Sequence, residues 1–210
     1  LGVFLQNIVE RKRQLAKLIF CLYNKKEAKF MDYETRNRMN DEKKYVVIVE
    51  RLKDRGVTEL DIAKITHKLQ TKYIPDLNMD VCLDHVKRVI KKREVQNAIL
   101  TGLELDILAE KKMLSEPLQT IIASDYGLYG IDEILALSIV NVYGSIGSTN
   151  FGYVDKVKPG IMGELDDKTD GKVVNTFLDD IVGAIAAAAA SSIAHKYADA
   201  DFDTELYKKK

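Results

Sequence analysis

Two helix starts in this 210-residue chain carry the same acidic signature. Ile131-Asp132-Glu133-Ile134-Leu135 and Leu178-Asp179-Asp180-Ile181-Val182 each read apolar, acid, acid, apolar, apolar, and each enters a run without charge. Between them lies Asp155-Lys156-Val157-Lys158-Pro159. Taken singly, either pair is explained as first-turn acids that complement the helix dipole, and Thr176 with Asp179 has capping-box spacing. Taken together, the pairs resist that explanation. Carboxylates on apolar helices are costly to bury without compensation, and converging carboxylates repel unless a cation sits among them. Oxygen ligands with no Cys or His nearby suit Mg²⁺ or Mn²⁺. In that arrangement Asp132, Glu133, Asp179 and Asp180 hold the metal, and Asp155 is a further ligand or orients a water. Lys158 offers a point charge to a phosphate oxygen, in a loop stiffened by Pro159. Gly183, four residues after Asp179, leaves room on the same helical face. The chemistry is metal-assisted phosphoryl transfer, with the ion neutralising phosphate charge and orienting or activating water. Asp155, Lys158 and Asp179 are its catalytic candidates.

Two other segments carry weaker signals. Gly144-Ser145-Ile146-Gly147-Ser148-Thr149 offers backbone N–H groups but lacks the lysine and spacing of a P-loop, and reads as a flexible turn. Asp166-Asp167-Lys168-Thr169-Asp170-Gly171 lacks the closing Glu of a calcium loop, and reads as a solvated turn.

The elements that must position these residues are helical. Residues 43–55 form a helix stopped at Gly56, and Val46–Val49, the best short strand pattern, has helical flanks. Thr58 with Asp61 starts a helix over 59–72, and Pro75 follows its end. Asn78 or Asp80 caps a helix through Lys92, with Val81, Val86, Val89 and Ile90 as its apolar set. Glu94–Lys112 is a long helix that includes Ile99, Leu103, Asp106 and Glu110. Pro117 opens a short helix to about Ala123. Residues 125–130 are a turn and 131–142 an apolar helix. Residues 143–172 hold six of the 12 glycines, show no clear period, and read as a long loop of the kind suspected of function. A final helix over 175–198 is uncharged from Ile181 to Ala194, and 199–210 is a polar, frayed tail. The fold class is all-α: a compact bundle of about six helices around a central Ala-rich helix.

Hydrophobic residues at 46% and charged ones at 30% describe a soluble globular protein, and a formal net charge of zero gives no sign of a nucleic-acid binder. Residues 1–38 hold nine Lys/Arg against four Asp/Glu, a surplus of five positive charges. This basic N-terminal extension reads either as an amphipathic surface helix or as a segment outside the fold, with Met31 and Met39 as alternative starts. The single helical domain then spans 39–198. Cys21 and Cys82 lie too far apart in sequence to suggest a disulfide framework, and a reducing cytoplasm suits them. His67, His85 and His195 read as partly exposed helix residues rather than ligands. No segment shows the run of about 18 uncharged apolar residues that a spanning helix needs.

Asp132-Glu133, Asp155-x-x-Lys158-Pro159 and Asp179-Asp180-Ile181-Val182 with Gly183-Ala184, in this order and spacing, resemble the motifs of the phosphatidylglycerophosphatase A family, and most closely its soluble, low temperature requirement C-like branch. The resemblance covers roughly residues 45–198. It implies Mg²⁺-dependent removal of the terminal phosphate of phosphatidylglycerophosphate to give phosphatidylglycerol, on a bundle of about six helices around a central one. Unlike membrane-bound members, the chain has no Pro-Gly-Thr-x-Gly-Ser loop before Asp132. Gly152 stands where an Arg is usual, and Ile161 where a Pro is usual.

The leading expectation is therefore a metal-dependent phosphatase acting on a phospholipid head-group phosphate, cytoplasmic and peripheral at the inner membrane face, where the basic front segment could bring it to the lipid. The alternative is a non-catalytic helical binding or regulatory module with a vestigial acidic metal site. A third reading is an enzyme acting on a water-soluble phosphate or nucleotide. Apolar faces on an all-α domain also make a homo-oligomer an expectation.

Overall fold

The structure, a computed structural model, describes residues 40–167 and 173–208. The expectations for residues 1–38 and Cys21 lie outside the described residues, as does the end of the Asp166–Gly171 turn. The described residues form nine α-helices and no strand. In chain order these are α1 (Asp41–Asp54), α2 (Glu59–Gln70), α3 (Met79–Ile90), α4 (Arg93–Glu110), α5 (Leu118–Ala123), α6 (Ile131–Val140), α7 (Gly144–Val157), α8 (Ile161–Asp166) and α9 (Leu178–Lys208), with a 3-10 turn at Asn141–Tyr143.

Local signals place most boundaries. Gly56 ends α1 in the left-handed region at φ 80°. The Thr58–Asp61 capping box starts α2, with both reciprocal hydrogen bonds present. Asn78 caps α3 by accepting from the Asp80 amide at 2.8 Å. Val46–Val49 lies inside α1.

The hub is α9. Six helices, α2, α3, α4, α6, α7 and α8, pack against it. Ile181, Val182, Ile185 and the alanines 184 and 186–190 have no solvent exposure. Alanine adds little width to a helix, so six neighbours can approach one axis, and burying each large side chain such as Ile181 stabilises by roughly 1.5–3 kcal/mol. This is the all-α bundle around a central Ala-rich helix that the pattern predicts.

Four expectations change. The long loop over 143–172 contains two helices, α7 and α8. Its buried face is Gly147, Phe151 and Val154, a helical period in which one position is spelled with glycine. A Cβ at Gly147 would lie 3.0 Å from the Val140 carbonyl oxygen, so the glycine permits the close return of α7 over the end of α6. Gly144–Thr149 is accordingly the opening of a helix and not a free phosphate loop. The tail is likewise helical, since α9 continues to Lys208. His85 is 3% exposed, its Nδ1 sits 3.0 Å from Ser192 Oγ, and burial pulls its pKa down.

The fourth change concerns hydropathy. Ile131–Val157 and Leu178–Ala198 both have the length and composition of a membrane span. The second is 83% buried, so its hydropathy serves the core. The first is broken by the 3-10 turn and by Gly144 at φ 67°. It reaches span length only because helical structure resumes where a loop was expected.

Candidate metal and phosphate site

Three helix ends build the site. Gly130, at φ 73°, turns the chain into α6 and puts Asp132 and Glu133 in its first turn. Asp179 and Asp180 occupy the first turn of α9. The third contribution comes from the C-terminus of α7, where Lys158 adopts the left-handed conformation at φ 45° and its amide donates to the Val154 carbonyl. Glycine is the residue that adopts this conformation without strain, and a lysine there costs of order 1–2 kcal/mol. What the lysine contributes in return is its ammonium. Its Nζ donates to Asp179 Oδ2 at 2.7 Å, to Asp155 Oδ1 at 2.9 Å and to Asp180 Oδ1 at 3.2 Å.

Gly183 explains how α7 comes this close. A Cβ there would lie 2.6 Å from Met162 Cε and 3.3 Å from Val154 Cγ2, so α7 and α8 both press on α9 one turn after the aspartates.

The six sequence-identified residues all gather here, but the geometry divides them. Asp132, Glu133 and Asp180 bring one carboxylate oxygen each within 4.8 Å of one another. Asp179 and Asp155 are instead the partners of Lys158, and Asp180 faces both groups. Asp132 Oδ1 and Glu133 Oε2 are buried without a hydrogen-bond partner. Buried carboxylate oxygens are normally satisfied, so two such atoms beside a third carboxylate form a set that a hard divalent cation fits.

The electrostatics agree. Burial, with the adjacent Glu133 carboxyl, pushes Asp132 up to about 7. Burial and the neighbouring Asp179 push Asp180 up to about 8, although Lys158 opposes this. Burial also raises Asp179, against the pull of Lys158. Burial alone would lower the Lys158 ammonium, but Asp179, Asp155 and Asp180 around it hold it well above its ordinary value. Three carboxylates, Asp155, Asp179 and Asp180, thus share one ammonium, and Asp132 and Glu133 stand beside them without it, a crowding of acids that a cation would relieve.

One participant was missed by sequence reasoning. Asp106 of α4 is fully buried and accepts from the backbone amides of Phe177 and Leu178. The capping role suggested for Thr176 goes elsewhere, because its hydroxyl donates to the Ile122 carbonyl at 2.7 Å. An acid in mid-helix among Ile99, Leu103 and Ala109 was a signal, since such a residue must find a partner when buried.

Comparison with known proteins gives a consistent picture. The chain is 63% identical over 146 residues to the uncharacterised protein YutG of Bacillus subtilis, covering 70% of this chain and 87% of YutG. It is 61% identical over 148 residues to the uncharacterised protein YpjQ of the same organism, covering 70% of this chain and 82% of YpjQ. The crystal structure of the low temperature requirement C protein from Listeria monocytogenes superposes with a TM-score of 0.71 at 60% identity, covering 73% of this chain and 96% of that one. The family model for phosphatidylglycerophosphatase A matches residues 60–195, which include every residue of the acidic site. The chain belongs to the phosphatidylglycerophosphatase A family.

Proposed function

We propose that the protein is a Mg²⁺-dependent phosphatase that releases the terminal phosphate of phosphatidylglycerophosphate at a membrane surface, giving phosphatidylglycerol. The observation that carries this reading is the pair of unpartnered buried oxygens, Asp132 Oδ1 and Glu133 Oε2, beside Asp180. Asp132, Glu133 and Asp180 would hold the ion, with Asp179 next to them, and Mn²⁺ suits the same oxygen donors. When bound, the ion supplies charge neutralisation for the phosphate and acidifies a bound water. Lys158 presents its ammonium to phosphate oxygens as substrate competes with its carboxylate partners. Asp155, half-buried at the edge of this cluster, accepts a proton from the attacking water or orients it.

The lipid part of the reading is supported by the rim. The segments that carry the acids and the lysine also expose Leu128, Ile131, Ile134 and Val157, and such side chains suit an interface with lipid better than one with water alone. A peripheral position at the inner membrane face, with a reducing cytoplasm on the other side, follows from this reading.

Phosphate release by purified protein with Mg²⁺, set beside Asp179→Asn and Lys158→Ala, tests it. The wild type should turn over and both variants should fall by about 100-fold or more, the scale seen when a preorganised charge is removed from such a site. Equal activity in all three, or none in any, sinks the proposal. The triple pairing of Lys158 favours a second reading, a non-catalytic helical module with an acidic metal site. It predicts thermal stabilisation by Mg²⁺ without turnover on any phosphate ester.

A further inference from the structure

A helix begins with backbone N–H groups that have no partner inside the helix; at the start of α9 the Asp179 amide reaches the Asn175 carbonyl at 3.4 Å, while the Phe177 and Leu178 amides have no local side chain to cap them. Phe177, the residue before it, has no polar side chain, and the Thr176 hydroxyl is spent on the Ile122 carbonyl. The acceptor comes from 71 residues earlier in the chain. Asp106 Oδ1 accepts from the Phe177 amide at 3.1 Å, and Oδ2 accepts from the Leu178 amide at 3.1 Å and the Phe177 amide at 3.3 Å.

We propose that Asp106 is a positioning residue for the acidic site: by capping α9 from α4, it fixes where Asp179 and Asp180 stand. Those two residues follow Leu178 directly, so whatever orients the first turn of α9 orients both carboxylates. A second contact on the same face of α4 points the same way. One turn before Asp106, a Cβ at Gly102 would lie 2.9 Å from Phe177 Cβ, 2.4 Å from Ile181 Cδ1 and 3.3 Å from Leu135 Cδ2. Gly102 thus lets α4 lie against the opening turns of both α9 and α6, which carry the two acid pairs. The approach to α9 is tied down as well, since Arg55 donates to Asn175 Oδ1 at 2.8 Å and the Val174 amide donates to Glu110 Oε1 at 2.9 Å.

The cap also limits how phosphate can bind. Free N–H groups at a helix N-terminus are a ready anion site, but here Asp106 takes those of Phe177 and Leu178 and the Asn175 carbonyl takes that of Asp179. Those amides are not free for a phosphate, whose charge would fall to the lysine and the cation. Burial pushes the Asp106 carboxyl up to about 8, against the pull of the Phe177 amide and of Arg55.

The proposal rests on the metal reading of the site, and the experiment separates the two. Mn²⁺ binding is titrated by its electron paramagnetic resonance signal in wild type and in Asp106→Asn, which keeps the side-chain size but has one acceptor oxygen. Asp106→Asn should stay helical by circular dichroism and bind Mn²⁺ about 10-fold to 100-fold more weakly, the range for residues that orient metal ligands. A folded Asp106→Asn with unchanged Mn²⁺ affinity overturns the proposal. Should that variant not fold, amide hydrogen exchange in the wild type decides. Phe177 and Leu178 amides that are protected, and become more so with Mg²⁺, support it; amides that exchange freely, or whose protection ignores Mg²⁺, overturn it. If the wild type binds no Mn²⁺, the metal reading fails on its own and metal-free protection of the two amides judges the cap.

Discussion

The two sides of the acidic cluster differ in what they already possess. On the α7 side, Asp155 and Asp179 have the Lys158 ammonium within 2.9 Å. On the α6 side, Asp132 and Glu133 each hold a buried oxygen with no partner. The first side is a finished ion-pair network and contributes to the fold before any ligand arrives. The second is costly to the metal-free fold and makes sense through what it binds. The asymmetry separates the carboxylates already paired with Lys158 from those that could hold a cation.

The largest effect should therefore fall on the unsatisfied side. Glu133→Gln and Asp132→Asn should each lower Mg²⁺-dependent phosphate release by about 100-fold or more, beyond the 10–100-fold typical of residues that only support a ligand. Neither should destabilise the metal-free protein, because each removes a crowded charge. Calorimetric Mg²⁺ titration with denaturant melts checks both statements together. A large loss of metal-free stability would break the comparison.

Lys158→Ala probes the other side and should show the reverse balance. Removing the ammonium leaves Asp155, Asp179 and Asp180 facing one another, and unpairing a buried ion pair costs about 3–5 kcal/mol. Denaturant unfolding without metal should show that loss, and Asp179→Asn in the same chain should restore part of it. No restoration would mean that Lys158 stabilises through packing of its stem rather than through charge.

How much of this was legible beforehand follows from range. Both acid pairs, the lysine and the alanine hub were readable because they are local patterns: acids at a helix start, a run without charge, three motifs in order. The division of the acids was not readable, because which carboxylate meets Lys158 depends on the angle at which α7 returns, set by the left-handed turn at Lys158 and the close approach at Gly183. The α7 helix was misread because its buried stripe uses Gly147, which carries no hydrophobic signal. Asp106 was visible only as an acid among apolar neighbours, and its amides lie 71 and 72 residues away. The buried His85 was missed for a similar reason, since its partner Ser192 is 107 residues distant.

The next effect is smaller and depends on pH. Asp132 and Asp180 are raised to about 7 and about 8 in the folded protein, against about 4 in an unfolded chain. Asp132 faces Glu133 and Asp180; Asp180 also faces Asp179, Asp155 and Lys158. Between these limits the folded state holds more protons than the unfolded one, so stability falls as pH rises. Metal-free protein should melt at a higher temperature at pH 5 than at pH 8, and Mg²⁺ should flatten the slope by favouring the charged carboxylates. A melting temperature that rises over this range without metal would show that Lys158 governs the whole cluster.

Gly183→Ala is the mildest test of whether the two sides are separable. An alanine inside α9 gains up to about 1 kcal/mol of helix propensity, while its Cβ would meet Met162 Cε at 2.6 Å and Val154 Cγ2 at 3.3 Å. Methionine yields readily and β-branched valine does not, so relief comes mainly from Met162, with a smaller shift of α7. Overpacking costs about 1–3 kcal/mol, which leaves a net loss of at most about 2 kcal/mol in the metal-free protein. A shift of α7 lengthens the Lys158 contacts but leaves Asp132 and Glu133, carried by α6, where they are. Mg²⁺ affinity should then stay within about twofold, a change of less than about 0.5 kcal/mol. If affinity instead falls tenfold alongside stability, the ion depends on the lysine network, and the acids act as one indivisible unit.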